Sequence, residues 1–307
     1  WEEQDFWKRD FALIEQTGAK VLSCVDPAYP DRLSALPDGP VVLYYFGQLD
    51  CLKQDAVAII GTRDPSHYGA EQAQRMAGGC ARAGYVVVSG LARGVDTAAH
   101  RGALSEGRTI AVIGSGLTQI YPKDNAPLAR QIVASGLVMS EFPMATPPDR
   151  QNFPQRNRIV SGLSQAVILI EAPSKSGAML TMERAAKQGR ARYCLPGRVD
   201  MDSFEGNHAL IKSGEAHLVC GPEDVCARLG KEPAAAKRKS QHFQPSLFLS
   251  DEEEHILNLL GGEELGADQI AGRTRLPIAK LNVLLMGLVL NQMIKEYPGK
   301  LYKKVVV

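Results

Sequence analysis

Residues 153–164 read FPQRNRIVSGLS and run straight into QAVILIEA. Gln155, Arg156, Asn157 and Arg158 therefore stand at the entrance to an apolar run with the composition of a buried strand. Arginines in such a place either cap and solvate a helix or grip an anion through the planar fork of the guanidinium. Further cations follow other apolar runs: Arg63 in GTR, Arg93 in SGLARGVD and Lys123 in YPKDN. Gly61, Gly90 and Gly177 lie beside the hydroxyls of Thr62, Ser89 and Ser176 in the same kind of turn. Glycine at a strand end lets the backbone approach a ligand closely, and the helix that follows offers free N–H groups to phosphate. Phe153 and Tyr121 add rings on which bases stack beside a cationic groove, the way single strands are held without strict sequence readout. Each residue also has a structural use. Asp96 is placed to tie down Arg93, Glu141 or Glu171 to pair with Arg158, and rings beside proline commonly pack loops.

Other chemistries lack their signatures. GSGLTQ, Gly114 to Gln119, misses the third glycine of the dinucleotide fingerprint, and no Walker-type G-x-x-x-x-G-K-[ST] or nucleophile-elbow G-x-S-x-G occurs. His67 and His100 have no Cys or carboxylate at ligand spacing, so no metal or other cofactor is expected. Glu141, Glu171 and Glu183 are possible acids or bases, but carboxylates at such positions more often bond to helix starts. The six cysteines form no C-x-x-C and read as reduced, buried thiols.

The elements that must position these residues recur in one rhythm over 54–228. Apolar β-branched runs (AVAII, YVVV, TIAVI, GLVMS, AVILI, ARYCL, AHLVC) alternate with helical stretches near 69–83, 95–106, 124–135 and 178–188, with others after Phe153 and Asn207. Continuous apolar strands alternating with amphipathic helices predict a parallel sheet covered on both faces. Right-handed crossovers then bring the Gly-rich turns, with their five cations, to the carboxyl edge of the sheet. Four segments are expected: a helical then extended lead-in at 1–50, the α/β core at 51–228, a Pro- and Ala-rich linker at 229–250 holding Lys237, Arg238 and Lys239, and a last domain at 251–307. In the lead-in, FWKRDFALIEQTGAKVLSC has helical spacing throughout. The last domain reads as three helices and a hairpin turning at Pro298-Gly299, the pattern of a winged helix. Its third helix, PIAKLNVLLMGLVLNQ, is too apolar for an ordinary recognition helix.

Composition narrows the partners. Apolar residues make up 45% and charged residues 22%, as in ordinary globular proteins, and the net charge is +1. Any anion site must therefore be local. No apolar run reaches the roughly 18 residues of a membrane span, and no secretory signal is visible, so a cytoplasmic protein is expected.

These motifs resemble the DprA/Smf family of bacterial DNA-processing proteins. The matching stretches are AIIGTR, VVSGLARGVDTAAH, AVIGSGLTQIYPKDN, SEFP, FPQRNRIVSGLS, VILIEAPSKSGAMLT, QGR and PGRVDMDSFEGNHALI, in family order over about 59–214. YPDRLSALPDGPVVLYYFG is similar to the segment before the family's Rossmann-type core, and the C-terminal unit to its winged helix. The resemblance implies an extended Rossmann-type α/β core that binds single-stranded DNA, forms a homodimer, protects incoming strands in natural transformation and helps to load the RecA recombinase. It implies no catalysis and no cofactor. The candidate DNA-binding residues are Gly61, Thr62, Arg63, Ser89, Gly90, Arg93, Lys123, Asn125, Phe153, Arg156, Asn157, Arg158, Ser176 and Gly177. Arg156 and Arg158 are expected to line a phosphate-gripping pocket, unless helix periodicity turns one of them beneath the loop. Where the family often reads SGSLIT this chain has SGAMLT, which removes a hydroxyl at Ala178. Two other readings compete. SKSGAMLTME, Ser174 to Glu183, is faintly similar to the PGGxGT…E turn of phosphoribohydrolases through Thr181 and Glu183, without its Pro-Gly-Gly start. A duplex-DNA regulator led by the winged helix is the other.

Overall fold

The computed structural model describes residues 6–231, 249–261, 263–291 and 293–305. The chain divides into two compact units, Trp1–Lys237 and Arg238–Val307. Most of the expected linker, 232–248 with Lys237, Arg238 and Lys239, lies outside the described residues.

In chain order the first unit contains α1 (Phe6–Thr17), β1 (Lys20–Ser23), α2 (Asp31–Ser34), β2 (Val42–Gly47), β3 (Ala56–Ile60), α3 (His67–Arg82), β4 (Val86–Ser89), α4 (Val95–Glu106), β5 (Thr109–Val112), α5 (Ala126–Ser135), β6 (Leu137–Ser140), α6 (Asn152–Leu163), β7 (Ala166–Leu169), α7 (Gly177–Lys187), β8 (Ala191–Cys194), α8 (Glu205–Lys212), β9 (His217–Leu218) and α9 (Pro222–Arg228). Its sheet has the order β1-β2-β6-β5-β4-β3-β7-β8-β9 among the described residues. From β6 to β9 every pairing is parallel, for example Val57 opposite both Val87 and Ala166. Every residue of β3, β4, β5, β6 and β7 is buried, because helices cover both faces. That is why these strands lack the alternation of a half-exposed sheet.

The lead-in adds two antiparallel strands to this sheet, β2 pairing with β6 and β1 with β2. The helical spacing expected through Cys24 ends earlier. Gly18 takes φ 70°, the left-handed conformation that closes a helix, and Lys20–Ser23 becomes strand.

The order in which strands are added reverses at β3. The strands that follow it, β4 to β6, build outward on one side, and β7 to β9 on the other. The loops after β3 and β7 thus leave the sheet in opposite directions and open a crevice at its carboxyl edge, the place where open α/β sheets take ligands.

The second unit contains α10 (Asp251–Leu259), β10 (Leu265–Gly266), α11 (Ala267–Thr274), α12 (Ile278–Leu290), β11 (Ile294–Tyr297) and β12 (Leu301–Lys304). Its strands form a three-stranded antiparallel sheet, β10-β12-β11, among the described residues. This is a winged helix. Ser250 caps α10 in a capping box with Glu253, matching the acidic first turn. In α12, Leu281, Leu285 and Leu288 enter the core while Ile278, Val283, Met286 and Leu290 stay exposed. Among the described residues, no helix is long and apolar enough to cross a membrane. Four cysteines are buried as expected, whereas Cys24 and Cys220 are exposed.

Candidate nucleic-acid interface

A cleft of about 440 Å³ opens where the loops after β3 and β7 part. It is walled by Gly61–Arg63 on one side, by Ser176–Ala178 at the start of α7 on the other, and by Phe153, Arg156 and Asn157 from α6. Nine of the fourteen candidate residues meet here: Gly61, Thr62, Arg63, Gly90, Phe153, Arg156, Asn157, Ser176 and Gly177. Such a volume suits a nucleotide-sized ligand, since small-molecule sites run to about 300–1,000 Å³.

The walls are tied together from below. The Thr62 N–H donates to the Glu171 carbonyl at 2.7 Å. The Glu171 carboxylate, 1% exposed, accepts from the N–H and hydroxyl of Ser66, the N-cap of α3. Glu171 thus holds the β3 loop and does not reach Arg158. Asn157 accepts from Arg156 Nε at 3.2 Å and donates to the Gly177 carbonyl at 3.4 Å, bracing the start of α7. Ser176 caps that helix by accepting from the Met179 N–H.

Arg156 is the buried floor, 5% exposed. Its Nη1 donates to the carbonyls of Gly90, at 2.6 Å, and Val112. A Cβ at position 90 would overlap the guanidinium, so only glycine leaves it room. Asp96, also buried, accepts from the Gly90 and Ala92 N–H groups at 3.1 and 3.2 Å. Burial raises the Asp96 pKa, against the pull of Arg156, and burial lowers that of Arg156, against the pull of Asp96. The two charges offset one another in the floor. Asp96 was expected to hold Arg93, but Arg93 pairs at 2.7 Å with Asp124 in the open. The sequence placed Asp96 in the first turn of α4 without disclosing that its carboxylate turns back onto the β4 loop.

Arg63 is the exposed cation of this cleft, its guanidinium 5.0 Å over the centroid of the Phe153 ring. That distance is within cation–π range, and the residue as a whole remains exposed. Lys123, in a 3₁₀ turn over Lys123–Asn125, is exposed and does not line the cleft.

Five candidates do not line the cleft. Ser89 is fully buried and donates to the Ile59 carbonyl at 2.7 Å. Asn125 donates to the carbonyls of Leu91 and Ala92 at 2.9 and 3.2 Å, holding a turn in which Leu91 has φ 58°. Arg93 and Lys123 lie outside it. The expectation that both arginines of RNR line one pocket holds for Arg156 and not for Arg158. Arg158 pairs with Glu141, and with Asp38 at 3.9 Å. Residues two apart on an α-helix face nearly opposite ways, so α6 sends one arginine into the cleft and the other beneath the adjoining loop. Thr181 lines the cleft, with its hydroxyl bonded to the Gly177 carbonyl at 3.3 Å, while Glu183 is exposed and outside the lining. The two remnants of the phosphoribohydrolase-like turn therefore do not converge.

The family described as DNA recombination-mediator protein A matches residues 20–230, and the DprA winged helix domain matches 233–300. The chain is 34% identical over 324 residues to Protein Smf of Synechocystis sp., covering 94% of this chain and 81% of that protein. Among solved structures, it is similar to DNA processing protein A of Streptococcus pneumoniae, with TM-score 0.67, 42% identity, and 72% and 78% of the two chains covered. It is also similar to DNA processing protein A of Helicobacter pylori, with TM-score 0.63 and 32% identity over 69% and 95% of the two chains. That protein was solved for its single-stranded DNA binding mode. A match over most of the α/β unit and another over the winged helix make this chain a member of the DprA/Smf family of DNA-processing proteins.

Proposed function

We propose that this chain binds single-stranded DNA in the cleft between the β3 and β7 loops and acts as a non-enzymatic recombination mediator. The observation that carries this reading is the position of Arg63 at the switch-point crevice, stacked on Phe153 above a floor whose own charges are offset. A neutral floor with an exposed cation at the lip favours phosphate passing over the cleft rather than an anion buried in it. The cleft's nucleotide-sized volume favours a single strand over a duplex. The Helicobacter pylori relative, with its single-stranded DNA binding, supports the same reading. In this role the core, 51–228, would hold the strand as a homodimer in the cytoplasm, and the chain would help to load the RecA recombinase on incoming DNA. The segment 251–307 would serve as a separate module.

The test is titration of a labelled oligonucleotide and its duplex with wild type and with the double variant Arg63→Ala/Lys123→Ala, at several salt concentrations. The wild type should prefer the single strand and weaken with salt. The double variant should bind weakly, with a salt slope shallower by roughly 0.7 per lost phosphate contact. Equal binding by wild type and variant would overturn the site. Mediator function is tested separately, by RecA filament formation on strands pre-coated with a single-strand-binding protein.

A further inference from the structure

Two of the buried cysteines, Cys80 in α3 and Cys226 in α9, lie in one core cluster on adjoining helices. Cys51 and Cys194 belong to a separate cluster. The two helices meet at backbone range. A Cβ on Gly79 would come within 2.2 Å of Pro222 Cγ, so glycine at this position lets α9 settle directly on α3. Arg75 and Glu223 pair across the same junction at 4.0 Å. Its other end is closed by Tyr85 and Lys231. The Tyr85 N–H donates to the Cys80 carbonyl at 3.0 Å, and the Lys231 N–H to the Cys226 carbonyl at 3.0 Å. The Lys231 ammonium lies 4.0 Å from the centroid of the Tyr85 ring and pairs with Asp55 at 3.1 Å. One contact thus ties the backbones of both cysteines, and their thiols are hydrogen-bonded to each other.

A buried cysteine usually acts as a small apolar side chain. This pair has polarity as well. The bond from the Cys80 thiol holds Cys226 below the ordinary thiol pKa, against burial, and the same bond holds Cys80 well above it. A thiol favoured as thiolate beside a second thiol is the arrangement that peroxide oxidises and a neighbour resolves. Access comes through α9, which is seven residues long and whose N-cap, Gly221, makes no side-chain cap bond. Short helices at the end of a folded unit open locally at low cost.

We propose that Cys80 and Cys226 form an oxidisable dithiol, a modification site that takes a two-electron oxidant of the peroxide class and closes to a disulfide between α3 and α9. The Cys226 sulfur attacks one peroxide oxygen, the O–O bond breaks, and the departing hydroxide takes up a proton to leave as water. The Cys80 sulfur then attacks the Cys226 sulfenic acid. The S–S bond forms as the S–O bond breaks, and a second water leaves. Two thiols give up two electrons, and one peroxide becomes two waters. The link closes a loop that holds β4 to β9, so it constrains mainly the unfolded chain. None of this depends on DNA binding.

The experiment treats the folded full chain with hydrogen peroxide, blocks the remaining thiols with N-ethylmaleimide, and digests with trypsin without reduction. Peptides 76–82 and 213–228 should appear joined by one disulfide. The second peptide also carries the exposed Cys220, so the link should persist in Cys220→Ser and vanish in Cys226→Ser. The linked chain should unfold at a midpoint roughly 5–10 °C higher, and dithiothreitol should reverse the shift. A joined pair in Cys226→Ser, a link that forms only in urea, or oxidation that stops at sulfinic acid would overturn the proposal. A linked chain whose midpoint is unchanged or lower would overturn it too, because the pair would then not be in place to close in the folded state.

Discussion

At the scale of single residues, the cleft depends on charges that are almost wholly buried. Arg156→Ala would leave Asp96 buried without its counter-charge and the Gly90 and Val112 carbonyls without a donor. Each buried group left unsatisfied costs about 1–3 kcal/mol, so the unfolding midpoint in urea should fall. Adding Asp96→Asn should recover part of that loss, which a double-mutant cycle would measure. His100 supplies a second test, in pH. It is fully buried, and its Nδ1 lies 2.8 Å from Thr109 Oγ1. The Thr109 hydroxyl proton goes to the Val87 carbonyl, so the His100 ring must donate through Nδ1 and is neutral. Burial first, and the Arg156 charge second, push its pKa down from 6.5 to about 3. The unfolded chain therefore takes up a proton that the folded chain refuses. The stabilisation from neutral His100 is complete above pH 6.5 and is lost progressively as pH falls toward 3. At about 1.4 kcal/mol per pKa unit this amounts to several kcal/mol. Asp96, with its pKa raised by burial, acts in the opposite sense, its contribution being lost as pH rises through its folded pKa. Comparison with His100→Asn separates the two: the variant should show a shallower loss of stability between pH 6.5 and 4, and an unchanged slope would refute the assignment.

At the scale of elements, α6 does two jobs on two faces. Its inner face supplies Arg156 and Asn157 to the cleft, while Arg158 joins Glu141 and Asp38 under the neighbouring loop. Arg158→Ala should thus act on stability and not on DNA. Glu141 would lose the guanidinium beside it, at a cost of about 1–3 kcal/mol for a group left unsatisfied. Single-strand affinity and its salt slope should stay at the wild-type value, because no phosphate contact is removed. A loss of affinity without a loss of stability would place Arg158 on the strand's path after all. This helix also marks what the sequence discloses and what it withholds. The strands were legible because burial on both faces leaves an apolar run with no alternation, as in AVAII and AVILI. The gathering of the Gly-rich loops at the carboxyl edge was legible because parallel topology puts every βα loop there. The division of labour within RNR was not, since identical side chains two residues apart carry no mark of which face is the core. The place of Ser89 and Asn125 outside the cleft lining was hidden for a related reason: in sequence, a polar residue that ties a loop to its own backbone looks like one that faces a cleft.

At the scale of the whole molecule, a net charge of +1 means that long-range attraction cannot carry DNA binding, and each unit must be weighed by its local surface. The α/β unit brings Arg63 and Lys123, both exposed, to the carboxyl edge of its sheet. The winged helix brings little of that kind on its third helix. In α12 the exposed side chains include Ile278, Val283, Met286 and Leu290, and the helix's single cation, Lys280, is paired with Glu252 at 2.5 Å. A helix that reads DNA needs donors for phosphates and base edges, and an apolar face supplies neither. The apolarity of PIAKLNVLLMGLVL was already legible as a departure from a recognition helix, because so many apolar residues cannot all fit on the one face a small three-helix core can cover. A chain ending at Lys231 should therefore bind single-stranded DNA with nearly the affinity and salt slope of the full chain. Residues 249–307 alone should bind neither single strand nor duplex. Anisotropy titrations of both fragments, each first checked for cooperative unfolding, would measure this. Duplex binding by the folded C-terminal fragment would move DNA contact to the winged helix, and strand binding lost from the folded core would mean that the cleft does not suffice.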